Sequence, residues 1–311
     1  MNILVTGGSG FIGTNLVKEL ISSSHKVFIV DSYKNGDKFL NLNNLRNIRL
    51  IPLENFYENI LENLRTYNID FVFHMGAKSS TTEKNGELLF NYNYNYSTIL
   101  IETCEKLNIK IIYASSASVY GLEINFDEDL NDKKPINPYG ASKLLVDNFC
   151  RDKNFKNVIG LRFFNVYGPY EFHKNHMSSV MLHFYKQLKN EKKLKIFGKY
   201  ANFEDGEHKR DFVYVDDCVS IMMEMMQKFI PGIYNIGSGI ANSYNEVGDF
   251  MIQILGGNKG YIEFPDMLKQ RYQVFTKANL SKLKKAGYQT KFKTIYEGIP
   301  LYIDFLKGHL K

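Results

Sequence analysis

Residues 2–6 (Asn-Ile-Leu-Val-Thr) form a short apolar run, the pattern of a strand buried on both faces of a parallel sheet. A glycine-rich turn follows, then helical spacing over about 14–23 and a second apolar run over 26–30 that ends in Asp31. The alternation continues downstream. An irregular segment (40–47) leads to a short strand near 48–52, a helix at about 55–66 and a strand over 70–74. Apolar spacing predicts a long helix over 91–107, a strand over 109–114 and a helix starting near Pro138. Strand–turn–helix units recur to about Asn165, which predicts an α/β fold: a Rossmann-like doubly wound parallel sheet. Beyond 169 the chain turns polar, then suggests a helix at about 177–190, a strand over 210–215 returning to the first domain, and another strand over 232–237. The expected division is 1–165 plus 210–237 for the sheet domain, with 166–209 plus 238–311 as a smaller, discontinuous α/β lobe that binds substrate.

Composition narrows the class without choosing a function. At 311 residues, with 44% hydrophobic and 23% charged, the chain can bury a full core of an ordinary globular protein. The net charge is +6, but lysines are interleaved with acids, so no nucleic-acid arm is expected and an anionic small molecule suits the surface. Cys104, Cys150 and Cys218 are widely spaced, as buried free thiols in a reducing compartment would be. No run approaches the ~18 apolar residues of a membrane span, and the first residues enter a strand without a signal-peptide core. A cytoplasmic protein is expected. The methionines in 221–226 recur at helical spacing and read as core filling.

Candidate chemistry gathers at the predicted carboxyl ends of the strands. Gly7, Gly10 and Gly13 lie between strand and helix, where they permit a tight turn, backbone approach to a pyrophosphate and close helix packing. Asp31 is placed to bond a ribose hydroxyl. A carboxylate alone argues for NAD because it repels a 2′-phosphate, whereas Lys34 and Lys38 are placed to neutralise that phosphate; these residues leave the choice open. Met75, Gly76 and Ala77 end another strand, a polar loop follows from Ser79, and Asn93 is a candidate backbone brace. His74 has no second ligand at metal-binding spacing, so no metal is expected. Among the serines of 115–118, Ser116 is the candidate hydroxyl. Tyr139 and Lys143 stand four residues apart, on one face of the predicted helix. A free phenol, with a pKa of ~10, is about 4 kcal/mol from ionisation at neutral pH, and an adjacent ammonium reduces that deficit.

The glycine loop, the Ser115-Ser116-Ala117-Ser118-Val119-Tyr120-Gly121 strand end and Tyr139-x-x-x-Lys143 together resemble the extended short-chain dehydrogenase/reductase superfamily. More narrowly, Asp37-Lys38-Phe39, residues 79–83 (Ser-Ser-Thr-Thr-Glu), residues 162–169 (Arg-Phe-Phe-Asn-Val-Tyr-Gly-Pro), residues 209–215 and Arg271-Tyr272-Gln273 resemble the ADP-L-glycero-D-manno-heptose 6-epimerase family, nearly end to end. That resemblance implies NADP as cofactor, an ADP-heptose substrate of lipopolysaccharide core synthesis, and a homo-oligomer, a pentamer by family likeness. It implies cofactor contacts from Phe11, Ile12, Asp31, Ser32, Lys38, residues 75–79 (including Lys78), Lys143, Val166 and Lys174. It implies Tyr139 as one acid/base with Ser116 as its hydroxyl partner, and Lys174 as the second acid/base. Ser116, Asn165, His176, His183, Phe197, Arg210 and Tyr272 fall on substrate-binding positions. Two departures stand out: His176 replaces a small serine, and the segment 199–208 is longer than the family pattern. Inversion at C6 through a 6-ketone that rotates about C5–C6 requires proton donors on both sides of the sugar, and Lys174 would be the second. Rival readings are a 4-epimerase, a 4,6-dehydratase and a non-catalytic NADP sensor. Ala117 and Ser118 stand where a dehydratase carries an acidic pair, and a sensor has no need of Tyr139, Lys143 and Ser116 together.

Overall fold

A computed structural model describes residues 1–130, 133–269 and 271–310. The strands, in chain order, are β1 (Asn2–Thr6), β2 (Lys26–Asp31), β3 (Ile48–Pro52), β4 (Phe71–His74), β5 (Lys110–Ser116), β6 (Val158–Phe163), β7 (Asn165–Tyr167), β8 (Lys193–Phe197), β9 (Lys209–Tyr214), β10 (Gly232–Ile236), β11 (Ala241–Ser243) and β12 (Asn258–Ile262). Seven of them form the expected parallel sheet, in the order β10-β6-β5-β4-β1-β2-β3. Successive residues of β1 serve opposite faces. Ile3 and Val5 pack with Leu16, Val17 and Leu20 of the helix Phe11–Ser22, while Leu4 joins Phe28, Val30, Val72 and Ile111 on the other side. Both faces are covered, so the strand reads as a continuous apolar run. Each such side chain contributes about 1.5–3 kcal/mol by leaving water. Strand order reverses between β1 and β4, and the carboxyl ends of β1, β4, β5 and β6 open on one crevice.

The remaining strands frame a second core. β9 pairs in parallel with β7 and antiparallel with β11, and β8 pairs with β12. Leu182, Phe184, Leu194, Ile196, Val247, Ile299 and Tyr302 fill the space between these strands and their helices. The expected strand over 210–215 therefore exists, but it joins this three-stranded sheet and not the large one. Its last turn still reaches back: Val213, and Cys218, Met222 and Met225 of the helix Val215–Gln227, pack beneath the large sheet.

Other departures have local causes. The segment read as irregular over 40–47 begins with a helical turn, Lys38–Leu42. The helix expected over 55–66 breaks at Asn59 (φ −141°) into Leu53–Glu58 and Ile60–Thr66, and the Asn63 side-chain amide donates to the carbonyls of Phe56 and Asn59 across the break. The long helix starts as a π-helical turn, Phe90–Asn95, before the α-helix Tyr96–Lys106. Such insertions are common beside functional sites. The helix expected over 177–190 starts later, at Val180–Asn190, after the 3₁₀ segment Phe172–Met177, and the Ser179 hydroxyl caps it. All three cysteines are free and buried. Among the described residues, no helix is long and apolar enough to cross a membrane.

Candidate active site

The glycine loop after β1 meets a demanding local geometry. Gly7 has φ +66°, and a Cβ there would stand 2.6 Å from Gly76 of the neighbouring strand end. At Gly13 a Cβ would lie 2.1 Å from the Gly7 carbonyl, so helix and loop pack at backbone distance. Gly10 is the N-cap of the helix Phe11–Ser22 and gives it no side-chain cap, which leaves the first N–H groups for an anion. At the end of β2, Asp31 is 4% exposed. One of its oxygens accepts from the Ser9 N–H (3.0 Å) and hydroxyl; the other accepts from the Ser32 N–H (2.7 Å) and pairs with Lys38 Nζ at 2.7 Å. Lys34 points away, its exposed ammonium 3.4 Å from Glu54. An uncapped helix end beside an acid–lysine pair fits a dinucleotide with its pyrophosphate at the glycines and its adenosine ribose at Asp31.

The opposite wall is built from β4, β5 and the helix Pro138–Lys153. Asn137 caps that helix by accepting from the Gly140 N–H (2.8 Å), and Pro138 occupies its first turn. Gly140 is required by proximity: a Cβ there would come 2.6 Å from the Ser118 carbonyl. Tyr139 thereby lies against the serine turn, its phenol oxygen within reach of a bond from the Ser116 hydroxyl, whose oxygen accepts from the Ser118 N–H at 3.2 Å. Burial raises the Tyr139 phenol above its ordinary range, and the Ser116 hydrogen bond partly offsets this. Lys143, 3% exposed, donates to the Ala114 carbonyl at 2.8 Å, and burial brings its ammonium down to about 8 against the pull of Asp147. Burial opposes the help that the Tyr139–Lys143 spacing offers: in the free protein it outweighs charge, so the phenol keeps its proton at neutral pH and the Lys143 ammonium stays mostly charged.

Asn93 sits in the π-helical turn with no exposure. Its side chain accepts from the Lys78 N–H (2.7 Å), donates to the Lys78 carbonyl (3.0 Å), and donates to the Ser142 hydroxyl (3.0 Å), which in turn donates to the Tyr139 carbonyl (2.7 Å). One amide thus ties the 75–79 loop to the helix Pro138–Lys153. Within that loop Met75 and Ala77 are half-buried, Ser79 is exposed, and Lys78 lies over the Tyr92 ring at 4.8 Å. His74 is fully engaged: Nδ1 lies 2.6 Å from the Thr6 hydroxyl and Nε2 2.8 Å from the Ser97 hydroxyl, and burial pushes its pKa down to about 3.

The further wall forms where β7, β9 and the segment around Tyr272 meet. Asn165 accepts from Thr276 at 3.2 Å, and Arg210, 5% exposed, stacks its guanidinium 4.5 Å from the Tyr272 ring. The Tyr272 hydroxyl donates to Tyr244 at 2.9 Å. Phe197 reaches this group through Phe264, which contacts both Phe197 (5.4 Å) and Tyr272 (5.1 Å). Nearby, the long 199–208 segment folds as a tight hairpin, with Ala201 and Asn202 both at positive φ between the paired Tyr200 and Phe203. On the 3₁₀ segment, Lys174 holds its ammonium 5.5 Å from the Phe11 ring of the glycine loop, and burial lowers its pKa. Glu171 anchors that segment, accepting from Ser179 and from the Tyr302 hydroxyl. His183 Nε2 lies 3.2 Å from the Ser178 hydroxyl, and His176 is exposed. Ile12 and Val166 pack against the core below the crevice.

Three residues to which sequence reasoning gave no role hold these pieces together. Ser9 restrains Asp31, and the Gln273 amide donates to the Ala117 and Gly121 carbonyls, clamping the Tyr272 segment to the Ser116 turn. Asp147, one turn beyond Lys143, accepts from Arg162 Nε (2.8 Å) and the Tyr113 hydroxyl (2.9 Å). The 4-residue spacing of Tyr139, Lys143 and Asp147 was a usable signal; Ser9 lay in the glycine loop and Gln273 in the Arg271-Tyr272-Gln273 motif, but neither pattern indicated the bonds they make.

The profile of the NAD dependent epimerase/dehydratase family matches residues 3–237. Solved structures are similar over nearly the whole chain. ADP-L-glycero-D-manno-heptose-6-epimerase of Helicobacter pylori is 31% identical, with a TM-score of 0.85, 98% of this chain and 96% of that one being covered. UDP-N-acetylglucosamine 4-epimerase of Methanobrevibacter ruminantium is 26% identical, with a TM-score of 0.85 and 99% of each chain covered. UDP-glucuronic acid 4-epimerase of Bacillus cereus, solved with UDP-glucuronic acid and NAD, is 27% identical, with a TM-score of 0.83 and 99% of each chain covered.

Proposed function

The chain belongs to the NAD dependent epimerase/dehydratase family, and from that premise we propose that it is an NADP-dependent 6-epimerase. Its substrate in this reading is ADP-D-glycero-D-manno-heptose, inverted at C6 to the L-glycero product by transient oxidation to a 6-ketone and re-reduction. A bound nicotinamide supplies the hydride acceptor and donor. Tyr139, with the Ser116 hydroxyl beside it, acts as a base once its phenol has released its own proton to solvent, with the Lys143 ammonium one helical turn away favouring the phenolate; it then takes the proton from the C6 hydroxyl. After the ketone turns about C5–C6, Lys174 gives the proton on the opposite side. Asn165, Arg210 and Tyr272 hold the sugar nucleotide, with Arg210 on the diphosphate. The substrate lies between the parallel sheet and a lobe formed by 166–209 and 238–311, in a cytoplasmic homo-oligomer.

The observation that carries this reading is a second amine, Lys174, held against the glycine loop with its pKa lowered by burial. An epimerase that re-presents its ketone to the same tyrosine has no use for it. The 31% identity to the H. pylori heptose epimerase supports the same choice. The test is product NMR after incubation with ADP-D-glycero-D-manno-heptose and NADP, alongside UDP-N-acetylglucosamine and UDP-glucuronic acid with NAD. Inversion at C6 of the heptose alone is expected. Inversion at C4 of a UDP-hexose, with the heptose untouched, would overturn the reading in favour of a 4-epimerase.

A further inference from the structure

The end of β2 has a charge problem that Lys38 alone does not solve. Lys38 is already paired with Asp31 at 2.7 Å, so the two sum to zero, and Lys34 is turned out to Glu54. A 2′-phosphate brings a charge of about −1.5 to −2. A site selecting it over a hydroxyl therefore needs another donor or cation within reach. His173 stands on the same hydrogen-bonded chain. Its Nδ1 lies 3.2 Å from the Asn41 amide nitrogen; that nitrogen also donates to the Ser9 carbonyl at 3.0 Å, and Ser9 in turn donates to Asp31. Asn41 is 7% exposed and held further by the Tyr170 carbonyl at 3.3 Å, so the link is ordered. Three separate segments, the glycine loop, the turn after β2 and the 3₁₀ segment, converge on this point.

We propose that His173 is a specificity-determining residue for NADP, holding the 2′-phosphate of the adenosine ribose together with Lys38. This rests on the NADP reading above and adds to it the group that makes the choice. The charged groups facing His173 are Lys38 and Lys174, which disfavour the imidazolium, and Asp31, which favours it; the Tyr170 carbonyl accepts from the ring. Burial and the two lysines push the free histidine down to about 4, so it is neutral before binding. A phosphate dianion at Lys38 reverses that balance and draws a proton onto the ring. The same ring offers nothing comparable to an NAD ribose hydroxyl that Asp31 already serves.

Calorimetric titration of the whole chain with NADP and with NAD tests the inference by affinity. His173→Gln is expected to weaken NADP binding about tenfold, roughly 1.4 kcal/mol, and to leave the NAD dissociation constant within about twofold. His173→Lys restores NADP binding without proton uptake. Titration in buffers of different ionisation enthalpy should show that wild type takes up more protons with NADP than His173→Gln does. Equal weakening of both dinucleotides would reduce His173 to a structural brace and overturn the inference, as would unchanged NADP affinity. Should wild type itself bind NAD and not NADP, the NADP reading fails, and this inference with it. That result is distinguishable because it appears before any substitution is made.

Discussion

Tyr139 and Lys143 show how burial overrides spacing at the scale of single residues. Their separation was legible in the chain, but the upward push of burial on the phenol was not, because it depends on a pocket built by β5 and the Ser116 turn. Both groups keep a proton at rest, so in the proposed reaction the phenol must lose its proton when substrate and cofactor change its surroundings. Tyr139→Phe is expected to lower turnover by about 10²–10⁴-fold while NADP binding, followed by calorimetry, stays close to wild type. Lys174→Met separates the two half-reactions. The rise in near-ultraviolet nicotinamide absorbance on adding substrate should persist, while inversion at C6 fails; wild-type inversion in this variant would remove Lys174 from its role. Asn93 acts through its hydrogen bonds, and Asn93→Ala leaves both backbone groups of Lys78 without their partner. A loss of about 1–3 kcal/mol in denaturant stability is expected, with weaker dinucleotide binding.

At the scale of elements, the helix Pro138–Lys153 sets the spacing of the site's groups. Tyr139, Lys143 and Asp147 share one face, and the buried Asp147–Arg162 pair fixes that face to β6. Asp147→Asn strips a buried guanidinium of its counter-charge, at an expected cost of about 3–5 kcal/mol in unfolding free energy. It also removes the charge that holds the Lys143 ammonium up at about 8, so the alkaline limb of the pH–rate profile should move to lower pH. The βα units up to 165 could be read because the central strands β1, β2, β4, β5 and β6 are mostly buried, with glycine after β1 and an asparagine cap at Asn137 marking the two key helix starts. The four strands β7, β8, β11 and β12 were not legible: they are three to five residues long, partly polar, and pair with partners distant in sequence. The break at Asn59 and the π-helical turn at Phe90–Asn95 likewise answer to tertiary packing, which local periodicity does not record.

Across the whole molecule, the crevice is closed by contacts between distant parts of the chain, among them Gln273 on the Ser116 turn and Thr276 on Asn165. The motif around Arg271 was visible, but its clamp could not be foreseen without the fold. Stability should carry the mark of His74, which is neutral in the core with a pKa of about 3 against an ordinary value of 6.5. Between those values the unfolded chain binds the extra proton, so stability falls as pH drops below about 6.5, by up to several kcal/mol near pH 3. Acid denaturation midpoints should shift to lower pH in His74→Gln, provided Thr6 and Ser97 keep a partner. The account's central claim is that one carbon is inverted by hydride leaving and returning, with proton donors on both sides of the sugar. The most direct measurement is to supply ADP-D-glycero-D-manno-heptose deuterated at C6 in ordinary water and follow the label by NMR. The account predicts an L-glycero product that keeps its deuterium at C6. Washout of the label to solvent, or a product unchanged at C6, would contradict it.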